Sequence, residues 1–183
     1  MIIHERSVTK EYWSAIYDYI VRRLNTNRFH KIPGTNVLHV YGGDNTRTYT
    51  ILSTEPDTRG MPIAWLYLGK RPTWKAWEVR QVWVFPDWRG EGLAAKIYKA
   101  AVNKEGIILA SGKTQAKSAR ALWLKLVRDE VFNIWAQDFN DLDLRSAVWF
   151  EDDMLHSDLE LYVNPRRGWY SLKHDVRLIA IRK

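Results

Sequence analysis

Residues 82–94 read Val-Trp-Val-Phe-Pro-Asp-Trp-Arg-Gly-Glu-Gly-Leu-Ala, and their types and spacing suit the holding of an anion. A strand-favouring run stops at Pro86, an Arg-Gly-x-Gly turn follows, and a helical pattern begins after it. Two glycines leave the amides of the turn bare of side chains. The helix start adds its own unspent N–H donors and the positive end of its dipole. Such a cradle takes a phosphate or a pyrophosphate. The nucleotide-fold fingerprints are absent, with neither Gly-x-Gly-x-x-Gly nor Gly-x-x-x-x-Gly-Lys-[Ser/Thr] in the segment. Ser111-Gly112-Lys113-Thr114 imitates the end of the second pattern, but its required first glycine falls on Ile107, and Gly106 is one residue out.

Glu78 stands just ahead of this run. Strand alternation predicts Glu78, Arg80, Val82 and Val84 on one face. A carboxylate there can serve as a general base or pair with Arg80. Cysteine is absent, which excludes disulfides, thiolate metal sites and a cysteine nucleophile, and the five histidines (His4, His30, His39, His156, His174) show no metal-ligand spacing. No metal is expected, and each histidine reads as a surface or structural residue.

These residues need elements to position them. Strands are expected at 2–7, 37–41, 48–54, 61–70, 77–85, 107–111, 131–139 and 176–182. Helices are expected from Thr9 onward, with Trp13, Ile16, Tyr17, Ile20 and Leu24 at three- and four-residue spacing, at 92–103, and at 114–128 with Ala119, Leu122, Trp123 and Leu126 on one face. Gly42-Gly43-Asp44-Asn45 marks a hairpin. The sum is one α/β domain spanning 1–183, a mostly antiparallel sheet with a β-α-β crossover in its second half. No signal peptide or membrane-length apolar run is present, so a cytoplasmic protein without membrane attachment is expected.

The net charge of +7 permits an anionic partner. Its distribution is uneven. Residues 140–174 carry seven acids and four bases, a balance of −3, while the remaining 24 bases and 14 acids give +10. A basic body therefore carries an acidic insert of roughly 35 residues, long enough to expect structure or function of its own.

The turn resembles the acetyl-CoA loop of the GCN5-related N-acetyltransferase (GNAT) family, [Gln/Arg]-x-x-Gly-x-[Gly/Ala], with Arg89, Gly92 and Ala94 at its defined places. The expected order of elements is similar to that family over most of the chain. Residues 108–126 look most like divergent short members from tailed-phage genomes. The resemblance implies a GNAT-like, acyl-CoA N-acyltransferase fold in which the strand at 77–85, the family's fourth, splays from the fifth at 107–111. It implies acetyl-CoA, or another short acyl-CoA, as cofactor. Its arm would lie along Val82, Trp83 and Val84, and its pyrophosphate on Arg89, Gly90, Glu91, Gly92, Leu93 and Ala94. Lys96 and Lys113 would stand near the phosphates, and Ser118 against the arm. The Val84 N–H would meet the thioester oxygen, and Glu78, six residues earlier, would be the general base. A departure concerns the general acid: Trp123 stands where many members have a Tyr and offers no titratable proton. Ser118 and Tyr98 are the remaining candidates near the sulfur, and Tyr98 also reads as a core residue.

The resemblance places the 140–174 connection beside the acceptor, so Glu151, Asp152 and Asp153 are expected either to attract a cationic amine or to form a solvated acidic loop. The acceptor is open among a protein lysine or N-terminus, a small amine and aminoacyl-tRNA, and a homodimer is open as well. Two other classes stand beside the acetyltransferase. One is a catalytically inactive scaffold that binds or inhibits a partner protein, favoured by Trp123. The other is a sequence-independent nucleic-acid binder, which lacks a recognition-helix motif or a dense basic cluster, since Arg22-Arg23 and Arg166-Arg167 are only pairs.

Overall fold

A computed structural model of the chain describes residues 10–70, 75–112, 114–129, 131–138, 144–147, 149–151, 154–156, 163–164, 169–171 and 176–183. The strand expected at 2–7 lies outside them. The first helix, α1 (Lys10–Asn25), shows its predicted period from Ile16 on: Ile16 and Ile20 are buried with Val40 and Trp65, and Tyr17 and Leu24 pack at the margin, while Thr9 and the Trp13 side chain lie outside the described residues. Each such fully buried aliphatic side chain contributes on the order of 1.5–3 kcal/mol.

Five antiparallel strands follow as a meander: β1 (Phe29–Lys31), β2 (Val37–Val40), β3 (Thr46–Leu52), β4 (Pro62–Lys70) and β5 (Trp77–Val84). β1 was not expected, since three residues, Phe-His-Lys, are too short to show a period. The helix expected at 92–103 is α2 (Leu93–Lys99), continued by a wider π-type turn over Ala100–Lys104. The crossover ends in β6 (Leu109–Ala110), parallel to β5. The helix expected at 114–128 begins three residues late. Thr114–Ala116 is a strand, β7, and α3 occupies Lys117–Arg128. The remaining strands are β8 (Asn133–Asp138), β9 (Leu144–Ala147), β10 (Trp149–Glu151), β11 (Met154–His156), β12 (Val163–Asn164), β13 (Trp169–Ser171) and β14 (Val176–Ile181).

Among the described residues the main sheet has nine strands, in the order β1-β2-β3-β4-β5-β6-β14-β8-β9. It is an α/β architecture, mixed and mostly antiparallel, with the parallel seam at β5/β6. α2 and α3 cover one face, where Leu93, Ile97, Trp123 and Leu126 meet Leu66, Leu68 and Val79. α1 covers the other. The acidic insert is not a bare loop. β10 and β11 pair as a hairpin, and β13 pairs with β7 immediately before α3. That pairing explains the late start of α3, because a partner remote in sequence holds 114–116 extended.

The phosphate-loop lookalike is a joint of this sheet. Ser111 N–H donates to the Leu178 carbonyl (2.8 Å), and the Leu178 N–H donates to Ser111 Oγ (3.0 Å). Ser111 is fully buried. Ser111→Ala should leave the Leu178 N–H without its acceptor and lower stability by about 1–3 kcal/mol, read as a shift of the urea midpoint at unchanged m.

Candidate functional site

The site grows from a mismatch in strand length. β5 has eight residues, but only Trp77 and Glu78 pair with β6, opposite Leu109 and Ala110. On their other edge the same two residues of β6 pair with β14, through Ala110↔Ile179 and Leu109↔Ala180, and β6 ends there. Among the described residues, β5 from Val79 to Val84 thus has no strand on its β6 side, an opening roughly 20 Å long at about 3.3 Å per residue. On its other side β5 is held by β4. The Phe85 N–H donates to the Ile63 carbonyl (2.9 Å), and the ladder register runs through Trp65↔Trp83 and Tyr67↔Gln81. In an antiparallel ladder alternate residues point their amides away from the partner. The main-chain groups of Val82 and Val84 therefore face the opening.

The strand runs directly into the glycine turn. Pro86–Trp88 make one 3-10 turn, closed by the Arg89 N–H on the Pro86 carbonyl (3.1 Å). Gly90 and Gly92 have φ of 91° and 72°, the left-handed region that glycine occupies without strain. A Cβ on either would meet nothing within 4 Å. Backbone conformation rather than crowding selects glycine here, and the space over these amides is open. The Lys96 N–H makes the first bond of α2, to the Gly92 carbonyl (3.0 Å), so helix geometry leaves the amides of Leu93, Ala94 and Ala95 unspent by the helix. Arg89 folds back instead of extending into solvent. Its Nε donates to the Val84 carbonyl (3.2 Å), and its guanidinium lies over the Trp83 ring at 5.5 Å. It ties the turn to the strand end. Glu91 is exposed, Leu93 is buried, and Ala94 is half-buried.

Glu78 occupies the point where β5 and β6 part. It is 2% exposed and pairs with Arg80 (Oε2 to Nη2, 3.0 Å). Room for that pair comes from Gly69, where a Cβ would lie 2.9 Å from Arg80 Nε. The predicted common face of Glu78, Arg80, Val82 and Val84 is corrected. The register slips between Tyr67↔Gln81 and Leu68↔Val79, leaving Arg80 as an extra residue in β5. This bulge inverts the alternation. Val82 and Val84 lie beside Leu66 and Ala64 on the α2 face, whereas Glu78, opposite Gly69, shares the α1 face with Gln81 and Trp83.

Tyr98, the second candidate near the sulfur, takes the core position that its helix also suggested. It is 1% exposed, packed edge-on against Trp123 with ring centroids 5.8 Å apart. Burial pushes its phenol well above the usual tyrosine range. Such a group is a poor proton donor near neutrality. Tyr98→Phe should keep kcat within about twofold, and steady-state rates beside a melting curve will check this. Ser118 sits in the first turn of α3 with an exposed side chain. Glu151 closes β10 opposite Met154. Its side chain, Asp152, Asp153 and Lys113 lie outside the described residues, as does the test of their predicted roles. Lys96 is exposed one turn into α2.

One cluster was missed by the sequence reading. His30 and His39 are cross-strand partners on β1 and β2, and Glu105, just past the π-type turn, reaches both: His30 Nε2 and His39 Nδ1 lie 2.8 and 3.1 Å from Glu105 Oε1. The Tyr49 hydroxyl donates to Oε2 (2.8 Å). Burial would raise the Glu105 carboxyl, but the hydrogen bonds from His39 and Tyr49 outweigh it and hold the group down at about 2. The three residues are 9 and 66 positions apart, so no local spacing announces them.

No family model matches the chain, and no curated protein matches it. Among solved structures, the chain is similar to an "IAA acetyltransferase" from Bacillus cereus ATCC 14579, with a TM-score of 0.40 and 15% identity over 94% of this chain and 92% of that one. It is also similar to a protein from Bacteroides thetaiotaomicron described as an acetyltransferase of the GNAT family, with a TM-score of 0.39 and 10% identity over 96% of this chain and 85% of that one. Among the described residues no helix is long and apolar enough to cross a membrane.

Proposed function

We propose that the chain is an acetyl-CoA-dependent N-acetyltransferase that passes the acetyl group directly to a primary amine. The observation that carries this reading is the continuity of the opening along Val79 to Val84 with the left-handed glycine turn and the start of α2. An extended amide-bearing arm fits the unpaired edge of a strand, where main-chain groups recognise main-chain-like groups. A pyrophosphate fits the open amides at residues 90–95. The motif Arg89-x-x-Gly92-x-Ala94 supports the same assignment.

The bound cofactor would supply an acetyl thioester, whose carbonyl carbon is the electrophile. The chain's own groups do the rest. The Val84 N–H, facing the opening, donates a hydrogen bond where negative charge grows on the thioester oxygen. Glu78, at the apex of the opening, takes the proton from the incoming amine, directly or through one water. With an acetyl thioester bound, the new C–N bond would replace the C–S bond, and Glu78 would hold the amine proton. No cysteine exists to carry a covalent acyl intermediate. Trp123, 1% exposed, gives no proton to the departing sulfur. A thiolate, with an ordinary thiol pKa of about 8.5, would leave without one and take its proton from water, with the Ser118 hydroxyl in this reading donating a hydrogen bond to the sulfur. The acidic insert, tied to β7 beside α3, borders the acceptor in this reading, with Glu151, Asp152 and Asp153 drawing a cationic amine.

The test is a calorimetric titration of acetyl-CoA into the full chain, followed by a screen of lysine peptides, polyamines and aminoacyl-tRNA. Micromolar binding and thiol release with one acceptor class are expected. Absence of heat at millimolar cofactor overturns the reading and leaves a scaffold that binds a partner protein.

A further inference from the structure

The cluster at the meander edge has a chemistry that the acetyl-transfer reading does not use. His30 Nε2, His39 Nδ1 and a Glu105 carboxylate oxygen lie within 4.8 Å of one another. Both imidazole nitrogens aim at the same oxygen, Oε1, from 2.8 and 3.1 Å. In a tetrahedral zinc site with bonds of about 2.0–2.1 Å, neighbouring ligand atoms stand about 3.3 Å apart. The hydrogen-bonded contacts thus already span nearly the edges of such a polyhedron.

The surroundings match what a metal site requires beyond its ligands. The other nitrogen of His30, Nδ1, is 3.0 Å from the Tyr41 hydroxyl. That partner fixes the ring and settles which nitrogen carries the proton when Nε2 is used as a ligand. The Tyr49 hydroxyl holds Glu105 Oε2, leaving Oε1 directed at the imidazoles. His39 is stacked on the Tyr49 ring at 4.8 Å and 28°. The side chains of His39 and Glu105 are 12% and 15% exposed, and that of His30 is 40% exposed, which gives an ion a way in. Arg47 stands 3.8 Å from Oε2 and shares the carboxylate charge, which weakens the site relative to an unshared carboxylate.

We propose that His30, His39 and Glu105 form a divalent transition-metal site of the two-histidine, one-carboxylate kind, taking zinc with its fourth position open to water. The ion would bridge the edge hairpin β1–β2 to the end of the crossover helix, joining segments far apart in sequence.

The experiment is a calorimetric titration of Zn(II) into the chelator-treated full chain. One equivalent should bind with a micromolar Kd and raise the Tm. His39→Gln and Glu105→Gln should each weaken binding at least about tenfold while the far-UV dichroism stays unchanged. Absence of binding up to millimolar zinc overturns the site, as does undiminished affinity in either variant. Loss of fold in those variants is met from the other side. The triple variant His4→Gln, His156→Gln, His174→Gln leaves His30 and His39 as the only imidazoles. It should still bind one zinc, with two imidazole ligands counted by X-ray absorption at the metal edge. Fewer than two places the metal elsewhere and overturns the proposal.

Discussion

Replacing Gly90 and Gly92 together by Asp is expected to cost at least about a hundredfold in acetyl-CoA affinity, or roughly 2.7 kcal/mol. Two effects act in the same direction. Both positions hold φ in the left-handed region, 91° and 72°, where a non-glycine residue is strained by on the order of 1 kcal/mol or more. Aspartate is among the residues that tolerate this best, so the conformational effect alone leaves the loop formed. The larger effect is electrostatic. Each carboxylate sits beside amides that would face a pyrophosphate, and a like charge near a bound anion is directly unfavourable. A Gly92→Ala variant separates the two, since it keeps the strain and adds no charge. Calorimetry should show a loss of a fewfold for Gly92→Ala and near-complete loss for the double aspartate variant. Equal, undiminished affinity in all three proteins would remove the turn from the cofactor site.

Glu78→Gln is expected to lower kcat by about 10²–10⁴-fold with acetyl-CoA affinity unchanged, the range for removing a positioned general base. The glutamine keeps shape and can still accept a hydrogen bond from Arg80, so packing against Gly69 and the ion-pair partner is disturbed little. What it loses is the ability to take a proton. The limb of the pH–rate profile that reports the base should therefore vanish in the variant, and Glu78→Asp should restore part of the rate. The competing role is structural: Glu78 is 2% exposed and 3.0 Å from Arg80, and breaking a buried pair destabilises a fold. In that case kcat would follow the fall in Tm and the pH profile would keep its shape. A variant with wild-type kcat would end the assignment of Glu78 as the base.

The sheet and the turn were legible for different reasons. β4 carries a long apolar run from Pro62 to Leu68, and β5 alternates through Trp77-Glu78-Val79-Arg80 before the apolar Val82-Trp83-Val84, and burial on at least one face writes itself into such patterns. The Arg-Gly-Glu-Gly turn was legible because left-handed backbone selects glycine whatever the rest of the fold does. The bulge at Arg80 was not legible. One extra residue in a strand leaves composition untouched yet moves Val82 and Val84 to the face opposite Glu78. The three-residue error at the start of α3 has a related cause, since Thr114–Ala116 is extended by β13, more than fifty residues later.

The sequence by itself determined the elements with local causes: the amphipathic first helix, the apolar strands, and the glycine turn leading into α2. It also excluded cysteine chemistry. Only the tertiary structure decided which strand edges stay unpaired, which face Glu78 takes, that Tyr98 is buried against Trp123, and that His30, His39 and Glu105 converge. Backbone preference and periodicity act over a few residues and are written there. Pairing, burial and convergence are set by neighbours far along the chain and appear only when the sheet is assembled.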